Sequence, residues 1–443
     1  MTLELTRRGW LRCAGLGVAT TGLSGWMERL AAAAAPHPAR KRSCILLWMN
    51  GGPSTIDLWD LKPGHANGGP FRETATAAAG VRVSEHLPRL AKQMKRMAII
   101  RSMSTKEADH GRATYLMRTG RAPGGPIQYP SLGALLAKEM ERKDAELPGF
   151  VSIAPARFFS AAAYNSGFLG PRYAPLVVGE GGPAPAPGGD PARSLRVQDL
   201  DRAGHLDASR QGDRLALWAD LQKDFLQTRA GAASASHKAA YDRALAMMSS
   251  EAVKAFNLGE EKASLRDRYG RNLFGQGCLL ARRLVERGVP FIEVNLTGAT
   301  NGVGWDTHQN NFEQVKTLSG VLDPAWAALM DDLAERGLLE TTTIVWMGEF
   351  GRTPKINAGK GRDHWAASWS TVLAGGGVRG GQAVGKTSAG GTEVTDKPVG
   401  VPDFLATVGR ALGLDVTKTN PSNVGRPIRF VDPGAKAVEE VLA

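Results

Sequence analysis

Ser43-Cys44-Ile45-Leu46-Leu47-Trp48-Met49 runs straight into Asn50-Gly51-Gly52-Pro53: seven uncharged residues closed by a turn signal. Apolar and polar residues do not alternate in it, so both faces of this strand meet protein rather than water. Strands of that kind belong to parallel sheets covered by helices. The same signature recurs outward along the chain. Arg96–Arg101 follows a helix-like Leu87–Lys95, and Phe150–Ile153, Pro290–Leu296, Thr341–Met347 and Thr371–Leu373 complete the set. Helical patterns over Leu273–Arg287 and Asp323–Arg336 each lead into one of these strands, giving helix-to-strand units. The pattern predicts an α/β fold with a central, mostly parallel sheet sandwiched by helices.

Other stretches fall outside that rhythm. Gly179–Arg193 is a Pro/Gly-rich loop, and Asp213–Thr228 and His237–Phe256 read as amphipathic helices of an insertion spanning about residues 205–260. Asp403–Leu414 has apolar residues at helical spacing and is expected to pack in the core. The first 35 residues read as an address. Thr6-Arg7-Arg8-Gly9-Trp10-Leu11 precedes a modest apolar stretch, Cys13–Trp26, and Ala31–Ala35 offers a cleavage site. The apolar stretch is diluted by Gly and Thr and falls short of the ~20 apolar residues a membrane span needs. These features predict a twin-arginine signal peptide over residues 1–35, carried by the twin-arginine translocase. Residues 36–443 are then a single domain working in the periplasm or outside the cell.

The formal net charge is +12, of which the signal holds little. A basic protein outside the cytoplasm suits anionic substrates. The Lys and Arg are spread, and no aromatic-interleaved basic block points to nucleic acid. Cys44, in a strand, and Cys278, in a helix, read as buried thiols, with a disulfide between them left open.

Several motifs carry chemistry. Gly304-Trp305-Asp306-Thr307-His308 lies in a Gly/Asn-rich loop past a buried strand, where open α/β sheets place their sites. Carboxylate and imidazole at that spacing suit Zn, Mn or Fe, or else Asp306 caps a helix. Gly348-Glu349-Phe350-Gly351-Arg352-Thr353-Pro354 follows the strongest strand and offers Glu349 as a ligand and Arg352 as an anion-binding group, or the two as an internal ion pair. Gly361-Arg362-Asp363-His364-Trp365 adds a further imidazole. Asp109-His110-Gly111-Arg112 opens a helix reaching Thr119-Gly120, with His110 and Arg112 on a first turn that favours anions. Asp57 and Asp60 either cap a helix or ligate metal. Gly380–Thr387 fits a phosphate-binding pattern, but no helix former follows it, so nucleotide binding is rejected.

Taken in order, Asn50-Gly51-Gly52-Pro53-Ser54, Arg101-Ser102-Met103, the Trp305–His308 motif, the Gly348–Pro354 motif and the Gly361–Trp365 motif resemble the domain-of-unknown-function family 1501. That family in turn resembles the alkaline phosphatase superfamily, with its sulfatases and phosphomutases. The resemblance implies an alkaline phosphatase-like fold and a site of Asp and His at the strand ends, holding divalent metal, with Zn, Mn or Ca as candidates. Counting back from Thr119-Gly120 places His110 where the superfamily keeps its nucleophile, although it is not the usual Ser, Thr or Cys. Asn50 stands where a metal-binding Asp is expected, with Asp57 as substitute, and Glu349-Phe350 stands where an Asp-His pair is expected. The implied ligands are Asp57, Asp306, His308, Glu349 and His364, and the implied catalytic groups are His110, Arg112 and Arg352. The expected function is a metal-dependent hydrolase of phosphate or sulfate esters, acting on an anionic small-molecule or polysaccharide ester. The alternative is a non-catalytic periplasmic binding or structural protein on the same fold.

Overall fold

The computed structural model describes residues 42–142, 145–180, 189–197, 200, 204, 207–229, 231–297 and 304–443. The expected signal, residues 1–35, and the middle of the 179–193 loop lie outside the described residues.

Eight strands make the main sheet: β1 Ser43–Met49, β2 Met97–Met103, β3 Phe150–Ile153, β4 Leu176–Val178, β5 Phe291–Leu296, β6 Thr342–Met347, β7 Trp369–Gly375 and β8 Gln382–Val384. Their order is β8-β2-β7-β6-β1-β5-β3-β4. β1 is flanked by parallel partners, with Cys44 opposite Phe291 on β5 and Ser43 opposite Thr342 on β6. β7 runs antiparallel to both β2 and β6, while the other pairings in the sheet are parallel. The expected α/β class with a mostly parallel sheet is therefore what the chain adopts. As a consequence, β1, β2, β5 and β6 all end on one edge.

Helices cover both faces. The described ones that matter here are α1 His110–Thr119, α2 Leu132–Glu139, α3 Ala208–Thr228, α4 Ala232–Ser249, α5 Leu273–Glu286, α6 Asn311–Glu335 and α7 Val401–Ala411. Ile45, Leu47 and Met49 of β1 join the core under α5 and α6, whereas Cys44, Leu46 and Trp48 join the core under α2 and α7. Each such fully buried aliphatic side chain contributes about 1.5–3 kcal/mol, so the uncharged β1 motif anchors both cores at once. Cys44 and Cys278 lie in cores on opposite faces, and both thiols are free. Burial pushes both far above the ordinary thiol range.

The structure departs from the expected elements in places that have physical causes. The helix expected to begin at Asp323 instead begins at Asn311 and runs through Pro324. Asp323 is drawn aside to accept from the backbone N–H of Arg89 (3.0 Å) and Leu90 (2.8 Å), capping the short helix Pro88–Gln93. The second insertion helix stops at Ser249 because the Ser250 hydroxyl caps the following 3-10 turn at Ala252 N (2.9 Å). Trp218 of α3 stacks on Tyr241 of α4 (3.7 Å, 17°). Gly380–Thr387 carries strand β8 and the two-residue strand Lys386–Thr387 rather than the start of a helix. Among the described residues, no helix is long and apolar enough to cross a membrane.

Candidate metal centre

The loops leaving the common edge converge. After β2 the chain reaches Asp109, whose carboxylate accepts from Arg112 N (2.9 Å) and caps α1, so His110 is the first helical residue. After β5, buried Trp305 donates its backbone N–H to Asn50 O (2.8 Å), tying the Asp306–His308 loop to the end of β1. After β6, the strand Gly351–Arg352 pairs antiparallel with His364–Trp365. A side chain at Gly361 would strike the His308 carbonyl, since an added Cβ would lie 1.8 Å from it. Only glycine permits that approach, and it sets Asp363 and His364 beside His308.

Three imidazoles meet one carboxylate oxygen there. Nε2 of His110, His308 and His364 lies 3.3, 3.1 and 3.4 Å from Asp306 Oδ1. His308 Nε2 and His364 Nε2 are 3.0 Å apart. The other nitrogen of each ring is held by oxygen: His110 Nδ1 by Glu349 Oε1 (2.6 Å), His308 Nδ1 by Asp363 Oδ1 (2.7 Å), and His364 Nδ1 by the Ala108 carbonyl (2.8 Å). A carbonyl or carboxylate oxygen can only accept, so this network places a proton on each Nδ1 and turns each Nε2 inward toward Asp306. Metal-binding histidines are held in this way.

The donor spacing provides a test of fit. A tetrahedral ion with bonds of about 2.0–2.2 Å sets its donors roughly 3.3–3.6 Å apart, close to the separations from Asp306. Buried His110 Nε2 has no aligned hydrogen-bond partner, although it faces Asp306. His110, Asp306 and His364 satisfy the spacing for a shared ion. The residues present therefore fit a divalent cation held by nitrogen and oxygen.

Electrostatics agree. For His110, burial opposes the charged ring, but Asp306 and Glu349 outweigh it and raise its pKa to about 9. Asp306 is pushed up by burial, yet His110, His364 and Arg352 hold it far below the ordinary carboxylate range. The cluster thus favours positive charge at its centre. Arg352, buried to the tip, spends its donors on Gly52 O (2.9 Å), Gly51 O and Asp306 Oδ1 (2.5 Å). It braces the carboxylate against the end of β1. Phe159 stacks on the His110 ring (4.2 Å, 3°), while the His308 and His364 side chains are 42% and 27% exposed and leave that side open to solvent.

Residues 41–442 match the family described as "Protein of unknown function (DUF1501)". The chain belongs to the DUF1501 family. No curated protein matches its sequence. Solved structures similar to it include the lipoteichoic acid synthase LtaP from Listeria monocytogenes (10% identity, TM-score 0.42), covering 89% of this chain and 75% of that one. The PsFucS1 sulfatase from Pseudoalteromonas sp. is 14% identical with TM-score 0.37, covering 87% and 70% respectively. The phosphonate monoester hydrolase SpPMH from Silicibacter pomeroyi is 12% identical with TM-score 0.35, covering 90% and 76%.

In this DUF1501 chain, Asp306, His308 and His364, three of the expected ligands, lie side by side, and His110 stands among them. Glu349 reaches the cluster indirectly, since its Oε1 takes the His110 ring and Gly51 N (2.9 Å). Asp57 is not brought in. Its fully buried carboxylate is clamped by Arg362 (2.8 and 2.9 Å), Ser54 Oγ (2.6 Å) and Asn311 Nδ2 (2.7 Å), so it braces loops. Asp60 pairs with Lys62 (3.1 Å). Arg112 points outward and pairs with Glu107 (2.5 Å) at the surface. Sequence reading passed over Asp363, Ala108 and Phe159. Asp363 was legible as a carboxylate next to a candidate ligand; Phe159 gave no signal, because only the fold brings residue 159 to residue 110.

Proposed function

We propose that this protein is an exported metal-dependent hydrolase of phosphate or sulfate esters with a remodelled site. The observation that carries the reading is the convergence of three oriented Nε2 atoms on Asp306. His110, His308, His364 and Asp306 would hold the ion. When bound, a divalent ion at this position supplies Lewis acidity that polarises an ester oxygen and acidifies water.

The chain's own residues do the positioning. Glu349, Asp363 and the Ala108 carbonyl keep a proton on each Nδ1, and Arg352 fixes the carboxylate. His110, which the superfamily resemblance sets at the nucleophile position, has both ring nitrogens committed, so the reading gives attack to water rather than to a side chain. Substrate enters past His308 and His364. Export of the folded protein by the twin-arginine route belongs to the same proposal and rests on Arg7-Arg8 and the apolar stretch after them.

One observation favours the non-catalytic alternative. Both arginines expected to meet an anion, Arg112 and Arg352, are engaged elsewhere. The deciding experiment purifies the protein after native export, measures its metal content, and assays generic phosphate and sulfate esters with Asp306→Ala as control. A stoichiometric divalent ion and hydrolysis, both lost in Asp306→Ala, are expected. Bound metal without hydrolysis supports the binding protein, and absence of both sinks the enzyme and metal readings together.

A further inference from the structure

Beside the metal centre lies a cavity of about 620 Å³ that no proposed step uses. Its walls come from two loops and α1: Tyr115, Gln128, Tyr129, Ser160 and Asn165 supply side chains, and Gly124, Gly125, Gly167 and Gly170 leave backbone open. Its place is set by covalent continuity. Ser160 directly follows Phe159, whose ring stacks on His110, and Phe158 before it is 59% exposed and packs against Phe159 (4.4 Å). Tyr115 stands five residues along α1 from His110, roughly 7–8 Å at 1.5 Å per residue, about the span of one sugar ring.

The lining has a distinct chemistry. Among the described residues it includes no Asp, Glu, Lys, Arg or His. Arg121, near these walls, turns its guanidinium onto the Tyr129 ring (5.5 Å) and pairs with Asp432. Gln128 and Asn165 are exposed, and their side-chain amides make no hydrogen bond within the described chain. Amides, hydroxyls and peptide groups both donate and accept, which a carboxylate or a guanidinium does not. Ligand hydroxyls need both. Tyrosine rings cover apolar C–H surface while keeping a polar tip. Gly124 and Gly125 have nothing within 4 Å of a would-be Cβ, so their backbone N–H and C=O groups remain reachable from the cavity.

We propose that this cavity is a subsite for a neutral, polyhydroxylated ring, an uncharged saccharide unit. As a substrate subsite it rests on the hydrolase reading; as a saccharide site it does not. Maltotriose, cellotriose, laminaritriose and chitotriose serve as probes, each titrated against the full exported protein by saturation-transfer NMR and calorimetry. The variants are Gln128→Ala with Asn165→Ala, both exposed and outside the core, and Asp306→Ala. At least one trisaccharide is expected to bind, and the double substitution to weaken it about tenfold or more, with circular dichroism unchanged. Asp306→Ala is expected to leave that binding intact, so the saccharide site survives even if hydrolysis is never found. Binding by none of the four, or binding indifferent to the double substitution, overturns the proposal.

Discussion

Glu349→Gln separates a residue that orients a ligand from one that is a ligand. Glu349 is buried, its Oε1 accepts from Gly51 N (2.9 Å) and holds His110 Nδ1 (2.6 Å), and its Oε2 is buried without a partner. Glutamine keeps an oxygen where Oε1 stands, so both of those contacts survive while the negative charge is lost. What remains is the electrostatic part of the support given to His110. Loss of such support costs ~10–100-fold in metal affinity, equivalent to about 1.4–2.8 kcal/mol. The amide NH2 placed where Oε2 was has no acceptor, so a fall in folding stability of about 1–3 kcal/mol accompanies it. The assay is competition for Zn(II) or Mn(II) against a chromophoric chelator at fixed pH, with thermal melts on the same samples. An affinity unchanged within error refutes the claim that Glu349 orients His110. A loss far beyond a hundredfold in folded protein places Glu349 on the ion itself, as the family resemblance implies.

The remaining expectations come from the same contacts. Asp363→Asn acts on His308 as Glu349→Gln acts on His110, but Asp363 is 54% exposed and screened, so its loss in metal affinity lies at the lower end, about tenfold. Asp57→Asn leaves Arg362 buried without its counter-charge and is expected to cost about 3–5 kcal/mol in denaturant titrations; the folded fraction keeps its metal, and metal loss with unaltered stability would return Asp57 to the ligand set. Asp332 is bound by Arg282 (2.9 Å), Arg336 (2.7 Å) and Tyr269 (2.9 Å). Burial pushes its pKa up, but Arg336, Arg282 and Tyr269 outweigh that and lower it. Its stabilisation is therefore complete above the ordinary carboxylate value near ~4 and is lost as pH falls through the lower folded value. Asp332→Asn should reduce stability at neutral pH and flatten the acid limb of a stability-against-pH curve; an unaltered limb means other carboxylates set it.

The strands were legible because each one reads from its own residues. Ser43–Met49 and Phe150–Ile153 stand where the apolar runs put them, since burial on both faces leaves no charged residue to blur the edges. Short edge strands such as Leu176–Val178 and Gln382–Val384 were not legible: three residues, two of them only half-buried, carry little pattern. The helix expected from Asp323 begins twelve residues earlier, at Asn311, and carries Pro324 in its interior. A proline is a strong local signal for a helix start, and α6 overrides it through packing against the core around Trp326 and Leu329. In the site, motif proximity found His308 and His364, which flank their own loop signals. It could not tell that Glu349 and Asp57, both carboxylates just past a strand, serve a histidine and an arginine respectively. That distinction depends on which side chain meets which across nearly 240 residues for His110–Glu349 and over 300 for Asp57–Arg362.

The two buried arginines explain how such a centre is built ahead of any ion. Arg362 ties the Asp57 turn to the loop carrying His364, through Asp57 and the carbonyls of Asn67, Thr353 and Pro354. Arg352 ties the end of β1 to Asp306 through Gly51 and Gly52. Together they hold loops after β1, β5 and β6 in one arrangement, by bonds that involve none of the imidazoles. A centre assembled by metal alone, as in small zinc-dependent folds, leaves its loops without such bracing. Here the sheet and the arginines fix the backbone, and the Nδ1 acceptors fix the rings, so the donors are preorganised within a few tenths of an ångström of the spacing an ion needs. Pairing of this kind is costly to bury, and it neutralises the cations that would otherwise meet an anionic substrate. If the proposed metal-dependent hydrolase reading holds, these loops are ordered for a cation first, and recognition of a substrate's organic part would fall to the uncharged surface beside them.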